Sequence, residues 1–377
     1  MSDLPLMQEN KGNIVLFYPN IPEDVIPEVV ETLHGRWIGQ GPRVDQFERE
    51  FAAKFTPGWK TVAVNAGTSA LHLSYLAAGI RPGDEVITPV FTCTATNIPL
   101  LHCGAKPVFA DIDPETMNIS AKHVRELISE KTRAIVCVDY GGCLCPMEEL
   151  RSIADEYHIP IIEDAAQSLG GFYKGRPVGT LADYTAFSFQ AIKHITTADG
   201  GMISLQGTET ERKLKRLRWF GIDRYAKQNG IWKNDITEVG FKYQMTDVAA
   251  AMGLASLKTF DSKMELRQKL LAIYKDSLEK VPGIQVVGAD FIGHGHAAWL
   301  CTVLVENREG LQNKLREHGV ESNQVHFRND RYTIFGGRVK NCPNMDAVEE
   351  KYLILPLHTH LTTGDVYRIC NIIQQGW

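Results

Sequence analysis

The segment that decides the fold reads Tyr184-Thr-Ala-Phe-Ser-Phe-Gln-Ala-Ile-Lys-His-Ile-Thr-Thr-Ala-Asp-Gly-Gly201. Strand-forming residues lead up to Lys193, and a glycine pair follows it closely. Upstream, a second apolar run, Ile161-Ile-Glu-Asp-Ala-Ala-Gln167, contains a carboxylate, Asp164, where the strand should end. A lysine taken alone is usually a solvated loop residue, so the interpretation of Lys193 depends on this surrounding pattern.

The polar residues of these two runs are the ones a pyridoxal phosphate enzyme needs. The amine of Lys193 would form an imine with the cofactor, and Ser188 would hold its phosphate. Asp164 would keep the pyridine nitrogen protonated, which makes the ring an electron sink, and Gln167 would donate to the phenolic oxygen. A carboxylate at a strand end more commonly caps a helix, and that alternative stays open. The pattern predicts Lys193 as the catalytic residue and pyridoxal 5'-phosphate as the cofactor.

A phosphate site is also indicated by Asn65-Ala-Gly-Thr-Ser-Ala-Leu71, which lies between a predicted strand and a predicted helix. Backbone N–H groups near Gly67, Thr68 and Ser69 would face one point together with the positive end of the helix dipole. The alternative is a plain turn in which Thr68 or Ser69 caps the helix. No G-x-G-x-x-G pattern follows the strand, which disfavours a nicotinamide enzyme.

Short apolar runs alternate with helix-period segments between about residues 60 and 205, which predicts an α/β domain with a mostly parallel sheet flanked by helices. The same pattern places ligands beyond the carboxyl ends of the strands. The candidate strands are Thr61–Asn65, Glu85–Pro89, Pro107–Asp111, Ala134–Tyr140, Ile159–Asp164, Tyr184–Phe189 and Gly201–Leu205.

The C-terminal part is different in character. It contains a predicted long helix, Met264–Val281, then two short strand candidates, and helices at Glu309–His318 and Thr363–Gln374. We therefore predict a large domain over residues 1–260 and a smaller α+β domain over residues 261–377.

The chain has 377 residues, 44% hydrophobic and 23% charged, and a net charge of -5. This composition is typical of a soluble globular protein and gives no footprint for nucleic acid. No apolar run reaches the roughly 20 residues of a membrane helix, and Met1–Leu6 does not begin a signal peptide. Eight scattered cysteines favour a reduced, cytoplasmic setting. Cys143 and Cys145 lack zinc spacing, so we expect no metal.

Five segments in order carry a resemblance to a known family. The chain resembles, from about residue 17 to its C-terminus, the fold-type-I, pyridoxal-phosphate-dependent sugar aminotransferases of the DegT/StrS family. The segments are Trp37-Ile-Gly-Gln-Gly-Pro42, Asn65-Ala-Gly-Thr-Ser-Ala-Leu71, Gly83-Asp-Glu-Val-Ile-Thr-Pro89, Glu163-Asp-Ala-Ala-Gln-Ser168 and Phe187-Ser-Phe-Gln-Ala-Ile-Lys-His-Ile-Thr-Thr-Ala-Asp-Gly-Gly201.

What the resemblance implies is a fold-type-I aminotransferase with a large cofactor domain and a smaller C-terminal domain. Lys193 becomes the Schiff-base lysine and proton shuttle, and Ser188 holds the phosphate together with the backbone of Thr68 and Ser69. Asp164 pairs with the pyridine nitrogen, and Gln167 reaches the phenolic oxygen. Members of the family are homodimers whose sites are completed by the neighbouring subunit.

Three positions depart from the family pattern. The aromatic residue that usually stacks on the cofactor corresponds to Cys93, with Phe91 as a substitute of the same strand parity or an ordinary core residue. An asparagine contributed by the neighbouring subunit corresponds to Lys242, which would supply a charged phosphate contact instead. A histidine three residues before the lysine corresponds to Gln190.

The resemblance implies transfer of an amino group from glutamate or glutamine to a keto-sugar, most plausibly a nucleotide-linked 3- or 4-keto-6-deoxy sugar. His326 and Arg328 lie in the region from which the family's second domain reaches the sugar, so we expect substrate contacts from both, with a solvated loop residue as the alternative for each. An aminotransferase for a free keto-sugar or keto-inositol is the second interpretation. A non-catalytic binding or regulatory protein is the third, although such a protein would lose Lys193 or Asp164.

Overall fold

The computed structural model describes residues 12–233 and 235–377. Its strands, in chain order, are β1 Lys60–Val64, β2 Glu85–Pro89, β3 Phe91–Thr92, β4 Lys106–Ala110, β5 Thr132–Val138, β6 Ile161–Asp164, β7 Phe172–Tyr173, β8 Arg176–Pro177, β9 Tyr184–Ser188, β10 Gly201–Leu205, β11 Ile284–Val286, β12 Cys301–Val305, β13 Phe327–Arg328 and β14 Tyr352–Leu355.

The α-helices are α1 Val25–His34, α2 Pro42–Phe55, α3 Gly67–Ala77, α4 Thr94–His102, α5 Ala121–Leu127, α6 Met147–Tyr157, α7 Thr208–Leu217, α8 Arg224–Gln228, α9 Asp247–Leu278, α10 Arg308–Glu317, α11 Pro343–Val348 and α12 Thr363–Gln374. Across residues 12–233 and 235–377, no helix has both the length and the apolar character needed to cross a membrane.

A seven-stranded sheet forms the centre of the large unit, in the order β1-β10-β9-β6-β5-β2-β4. Only β10 runs antiparallel to its neighbours, and the other strand pairs are parallel. Strands β5 and β6 are buried almost throughout, because helices cover both faces of the sheet. The predicted mostly parallel α/β domain is confirmed, and all seven predicted strands are present with small shifts at their ends.

Parallel strands that end at one edge of a sheet bring their following residues together. Here β1 ends before Asn65, β6 ends at Asp164 and β9 ends at Ser188. The residues selected from the sequence therefore meet at the carboxyl edge of the sheet.

The smaller unit contains an antiparallel sheet of three strands in the order β11-β12-β14, packed with α10 and α12. Its main hydrophobic cluster is separate from those of the large sheet, and one further cluster contains residues of both units. A short antiparallel pair links the two units, because β13 bonds to β3 with Phe327 opposite Thr92. This pairing brings the segment around His326 to the carboxyl edge of the central sheet.

The two units share one helix. The predicted helix Met264–Val281 belongs to a longer continuous helix, α9, which begins at Asp247 and ends at Leu278, so the predicted boundary lies inside it. Its first half packs with the large unit so closely that a β-carbon on Gly253 would lie 2.7 Å from the Phe47 ring. The apolar contacts of α9 change from one core to the other between Met264 and Leu270.

Candidate active site

Lys193 lies on a tightly folded connection between β9 and β10. The backbone N–H of Phe189 donates to Gly200 at 2.8 Å, and that of Thr197 donates to Phe189 at 2.9 Å, so the connection closes on itself. Phe189 and Ile195 are fully buried and anchor it in the core. These contacts fix the backbone that carries the Lys193 amine.

The Lys193 side chain is partly buried, and its amine is largely withdrawn from water. Burial lowers the pKa of Lys193 to about 8, because desolvation disfavours the ammonium form, while the charge of Asp164 acts in the opposite direction. An amine with a pKa near neutrality can take up and release a proton at working pH.

Asp164 is a buried carboxylate at the end of β6. Thr96 Oγ1 donates to its Oδ2 at 2.7 Å, and the N–H of Ala166 donates to its Oδ1 at 3.1 Å. Burial raises the pKa of Asp164, while these two hydrogen bonds and the charge of Lys193 oppose that rise. The carboxylate is therefore suited to bind a positively charged partner such as a protonated ring nitrogen.

The start of α3 is where the sequence predicts either a phosphate site or a plain turn capped by Thr68 or Ser69. This helix begins at Gly67 after Ala66, and no side chain caps it. Ser69 does not take that role, since its hydroxyl donates to Asn65 Oδ1 at 2.7 Å, and Thr68 is exposed. The geometry therefore favours an anion site over a capped turn.

Ser188 approaches this helix start closely. A β-carbon on Gly67 would lie 2.8 Å from the Ser188 β-carbon, which real side chains do not tolerate. A β-carbon on Gly201 would lie 2.6 Å from the Ala66 carbonyl oxygen. Two glycines thus let Ser188 and the start of α3 form one cradle of hydroxyl and N–H groups, whose chemistry fits a phosphate.

Gln167 is buried, and its carboxamide is oriented by the backbone. The N–H of Gly141 donates to its Oε1 at 2.7 Å, which leaves Nε2 directed toward His326 Nε2, 3.5 Å away. Burial, together with the charge of Lys193, lowers the pKa of His326 to about 3, so this imidazole is neutral. The structure thus brings Gln167 and His326 together beside Lys193.

Cys93 immediately precedes α4 and is partly buried, close enough to Lys193 for the two groups to interact electrostatically. Phe91, the other candidate for stacking, is 1% exposed, and its ring packs edge-on against Tyr140 and Tyr352. Phe91 is a core residue, so it does not replace an aromatic side chain at position 93.

Lys242 is exposed, and its backbone lies beside the segment that precedes α3 in its own chain. Its carbonyl oxygen accepts a hydrogen bond from Asn65 Nδ2 at 3.3 Å. Its amine sits 4.0 Å from the Trp219 ring centroid, a cation–π contact.

Arg328 is where the structure disagrees with the sequence-based expectation of a substrate contact. Its guanidinium is fully buried and donates to Asp330 at 2.6 and 2.7 Å. It also bonds to Asp346, and to Glu349 at 3.3 Å. With three carboxylates around it, Arg328 has no role at the substrate pocket in this geometry, and its position is that of a structural ion-pair centre.

Two residues of the site were not selected from the sequence. Thr96 belongs to no recognisable motif, although it follows Cys93 by one helical turn. Trp299 lies 107 residues beyond Ile192, to whose carbonyl oxygen its indole N–H donates at 3.2 Å, and its ring lies 3.6 Å from the Lys193 amine. No local spacing connects such distant positions.

The fold and the site together define the class. A lysine with a desolvated amine and a buried carboxylate lie at the carboxyl edge of a seven-stranded sheet, where an uncapped helix also begins, in the arrangement of a fold-type-I aminotransferase.

Comparison with known proteins identifies the family. The family model described as DegT/DnrJ/EryC1/StrS aminotransferase family matches residues 19–374. The chain belongs to this family, whose members are sugar aminotransferases, and it is a transaminase.

Two curated relatives cover almost the whole chain. The spore coat polysaccharide biosynthesis protein SpsC of Bacillus subtilis is 34% identical, over 98% of this chain and 98% of that protein. The UDP-4-amino-4-deoxy-L-arabinose--oxoglutarate aminotransferase of Shewanella sediminis is 32% identical, over 95% of this chain and 96% of that protein.

A solved structure agrees with the fold and points to the cofactor. Spr1654 of Streptococcus pneumoniae, assigned as a sugar aminotransferase and solved in its PMP form, superposes with a TM-score of 0.90 at 30% identity, covering 96% of this chain and 98% of that chain. The same protein has also been solved in a PLP form. The family and these two forms imply dependence on pyridoxal phosphate.

Proposed function

We propose that this protein transfers an amino group from glutamate or glutamine to a nucleotide-linked keto-sugar, with Lys193 as the Schiff-base lysine. The expected acceptor is a 3- or 4-keto-6-deoxy sugar. The observation that carries the proposal is the interaction of the Lys193 amine with the buried Asp164 carboxylate at the edge of the sheet where Ser188 approaches the uncapped start of α3. Both ends of a pyridoxal phosphate molecule would find a partner there.

When bound, pyridoxal phosphate supplies an electron sink for the carbon that gains or loses nitrogen. In this proposal Ser188 and the N–H groups at the start of α3 hold the phosphate. Asp164, oriented by Thr96, holds the ring nitrogen in its protonated form. Gln167 Nε2 donates to the phenolic oxygen, while its Oε1 stays bonded to Gly141.

In this proposal Lys193 acts as the general acid and base. While it is not covalently bound to the cofactor, the Nζ of Lys193 would take a proton from the carbon of the donor that loses nitrogen and return one to the carbon of the acceptor sugar that gains it, which requires access to both protonation states. A pKa of about 8 provides that access near neutral pH. We expect Lys193→Ala to retain bound cofactor while losing a factor of about 10² to 10⁴ in turnover, the usual contribution of such proton transfer.

Support for a nucleotide-linked acceptor comes from the Shewanella sediminis relative, whose name pairs a UDP-linked amino sugar with oxoglutarate. Oxoglutarate is the keto acid formed when glutamate gives up its amino group. His326 lies beside Gln167 and Trp299, at the side of the site reached from the small unit, and we propose it as a sugar contact. Cys93 is proposed to line the cofactor face without stacking.

Two exposed apolar surfaces support a homodimer with shared sites. On and after α1, Ile26, Leu33 and Ile38 are more than half exposed, at 69%, 58% and 54%. Beyond α8, Trp232 and Val239 are 75% and 85% exposed. Ile26 and Leu33 are seven residues apart on α1 and so share one helix face, and a contiguous exposed apolar surface usually marks a protein interface. We propose that a second copy covers them and that Lys242 reaches the cofactor phosphate of that copy.

We further propose a cytoplasmic setting. The eight cysteines are all free, and seven of them are buried in the core, as expected where thiols stay reduced.

A substrate panel tests the proposed function. The holoenzyme is offered glutamate or glutamine with nucleotide-linked keto-sugars, free keto-sugars and a keto-inositol, and the conversion of cofactor between its two forms is followed by absorbance. We expect turnover only with a nucleotide-linked acceptor. Turnover confined to free sugars or inositols would favour the second interpretation, and no turnover with any acceptor, although cofactor is bound, would favour a binding protein.

A further inference from the structure

The Lys193 amine rests on an aromatic face. Its nitrogen lies 3.6 Å from the centroid of the Trp299 ring, within the distance at which a cation is attracted to an indole. Trp299 itself is 2% exposed and belongs to a core cluster to which both units contribute, for example Phe91 and Tyr352, so water does not weaken this contact.

Trp299 is held firmly on both sides. Its indole N–H donates to the carbonyl oxygen of Ile192, the residue before Lys193, at 3.2 Å. Its own carbonyl oxygen accepts from the buried Arg267 at 3.4 Å. The same guanidinium group donates to the carbonyls of Ala298 and Leu357 at 3.2 and 3.1 Å. The ring is therefore coupled to the backbone that carries the lysine.

The backbone before Trp299 is also unusual. Ala298 has a φ of 51°, in the left-handed region that non-glycine residues rarely adopt. Its N–H is bonded to His296 Nδ1 at 2.9 Å, which helps to maintain this conformation. Backbone strain that is retained next to a reactive group is commonly part of how the site is arranged.

The groups that face the Lys193 amine have opposite effects on its protonation. Burial and the positive charge of Arg267 favour the neutral amine, whereas Asp164 and Cys93 favour the ammonium. The imidazoles of His194 and His326 also interact with this amine, and burial lowers the pKa of both, so they are neutral. An aromatic face favours the ammonium as well, but it makes no directional hydrogen bond that would have to break when the amine moves.

We propose that Trp299 is a positioning residue for Lys193: its ring face holds the amine whenever this is not covalently bound to cofactor, and its indole N–H fixes the preceding backbone at Ile192. This inference rests on the proposed function and adds a residue to it. A ring face in this place leaves the Asp164 carboxylate available for the ring nitrogen of the cofactor.

The test measures how the rate of Schiff-base formation depends on pH. Full-length protein stripped of cofactor is mixed with pyridoxal phosphate, and the near-visible absorbance is followed. Only the neutral amine attacks the aldehyde, so the rate rises with pH to a plateau, and its midpoint reports the pKa of Lys193, about 8 in the native protein. We expect Trp299→Leu to lower the midpoint by about one pH unit, because the ammonium loses its partner.

Trp299→Phe separates the two contacts of the indole. It keeps a ring face but removes the N–H bonded to Ile192, so we expect a midpoint close to the native value and a lower plateau rate. Phe17→Leu is the packing control, since Phe17 stacks beside the same ring at 6.3 Å, and we expect it to leave the midpoint unchanged. If Trp299→Leu does not fold, Trp299→Met gives the same comparison with a larger side chain.

A Trp299→Leu or Trp299→Met protein that forms the Schiff base with the native midpoint would overturn the inference and leave the proposed function standing. A native protein that forms no Schiff base at all would overturn both.

Discussion

Gly67 and Ser188 lie so close that a β-carbon on residue 67 would be 2.8 Å from the Ser188 β-carbon and 3.0 Å from its hydroxyl oxygen. The proposed phosphate cradle depends on this approach. We expect Gly67→Ala to push Ser188 away from the start of α3 and to weaken pyridoxal phosphate binding by about 10-fold to 100-fold, the value of one or two charge-assisted hydrogen bonds. Equilibrium titration with the cofactor measures the effect.

The matched control for this change is Gly364→Ala. Gly364 also lies in the first turn of a helix, α12, but a β-carbon there would meet only the Thr362 hydroxyl, at 3.5 Å. Its cofactor affinity should equal that of the native protein. If both alanine variants bind pyridoxal phosphate as tightly as the native protein does, Ser188 and the start of α3 do not hold the phosphate.

Thr96 favours the charged form of Asp164 by donating a hydrogen bond of 2.7 Å, which opposes the effect of burial on the pKa of this carboxyl. Thr96→Val keeps the shape of the side chain and removes the donor, so the buried carboxylate becomes easier to protonate and binds the ring nitrogen less well. We expect the turnover rate to fall about 10-fold. Thr302→Val is the control, because Thr302 donates to Tyr140 at 3.1 Å and not to Asp164. The same loss of turnover in both variants would show that Thr96 acts only through packing.

Arg328 should matter for stability rather than for substrate binding. Removing its buried charge in Arg328→Met leaves the buried Asp330 carboxylate without a charged partner, bonded to the N–H of Val339 at 2.9 Å. We therefore expect a loss of about 3 to 5 kcal/mol in the free energy of unfolding. Arg338 pairs with two of the same carboxylates, Asp346 and Glu349, but its side chain is 55% exposed, so Arg338→Met should cost less than about 1 kcal/mol. Denaturant unfolding of both proteins measures the difference. A stable Arg328→Met protein with a raised KM for the sugar would restore the substrate role.

His296 makes the protein sensitive to acid. Burial lowers the pKa of His296 to about 4, whereas an unfolded histidine has a pKa of about 6.5. Between these values the unfolded state binds a proton that the folded state does not, so the free energy of unfolding falls as the pH decreases from about 6.5 to 4. His296→Asn keeps an acceptor for the N–H of Ala298 and should remove about 2 to 3 kcal/mol of that decrease.

Thermal or denaturant unfolding at pH 7 and pH 4 measures the acid sensitivity. His34→Asn, a change at an exposed histidine, is the control and should lose stability as the native protein does. If His296→Asn is destabilised by acid as strongly as the native protein, the imidazole of His296 is already charged in the fold.

The sequence was most informative where local pattern and chemistry coincide. The run before Lys193 and the run ending in Asp164 each combine a strand with a polar residue at its end, and the sheet brings those ends together. It was less informative where contacts are distant. The carboxylates around Arg328 are up to 21 residues away in the chain, and Trp299 reaches the site from the small unit.

The predicted domain boundary near residue 260 lies inside α9, and the sequence did not indicate this for a different reason. A change in the size and type of residues along the chain indicates that the segment packs against a different hydrophobic core. It does not show whether the helix ends there. The small residues of α9 near Gly253 suit contact with Phe47, and the larger apolar residues after Met264 suit the second core. Both halves favour helix, so one helix serves both units.

The most direct test of the account is where pyridoxal phosphate becomes attached. The holoenzyme is reduced with borohydride, digested and analysed by mass spectrometry, alongside Lys193→Ala. We expect a single modified peptide carrying the cofactor on Lys193, and in the alanine variant a cofactor that is bound but released on denaturation. Attachment at another lysine, or no attachment in the native protein, would contradict it.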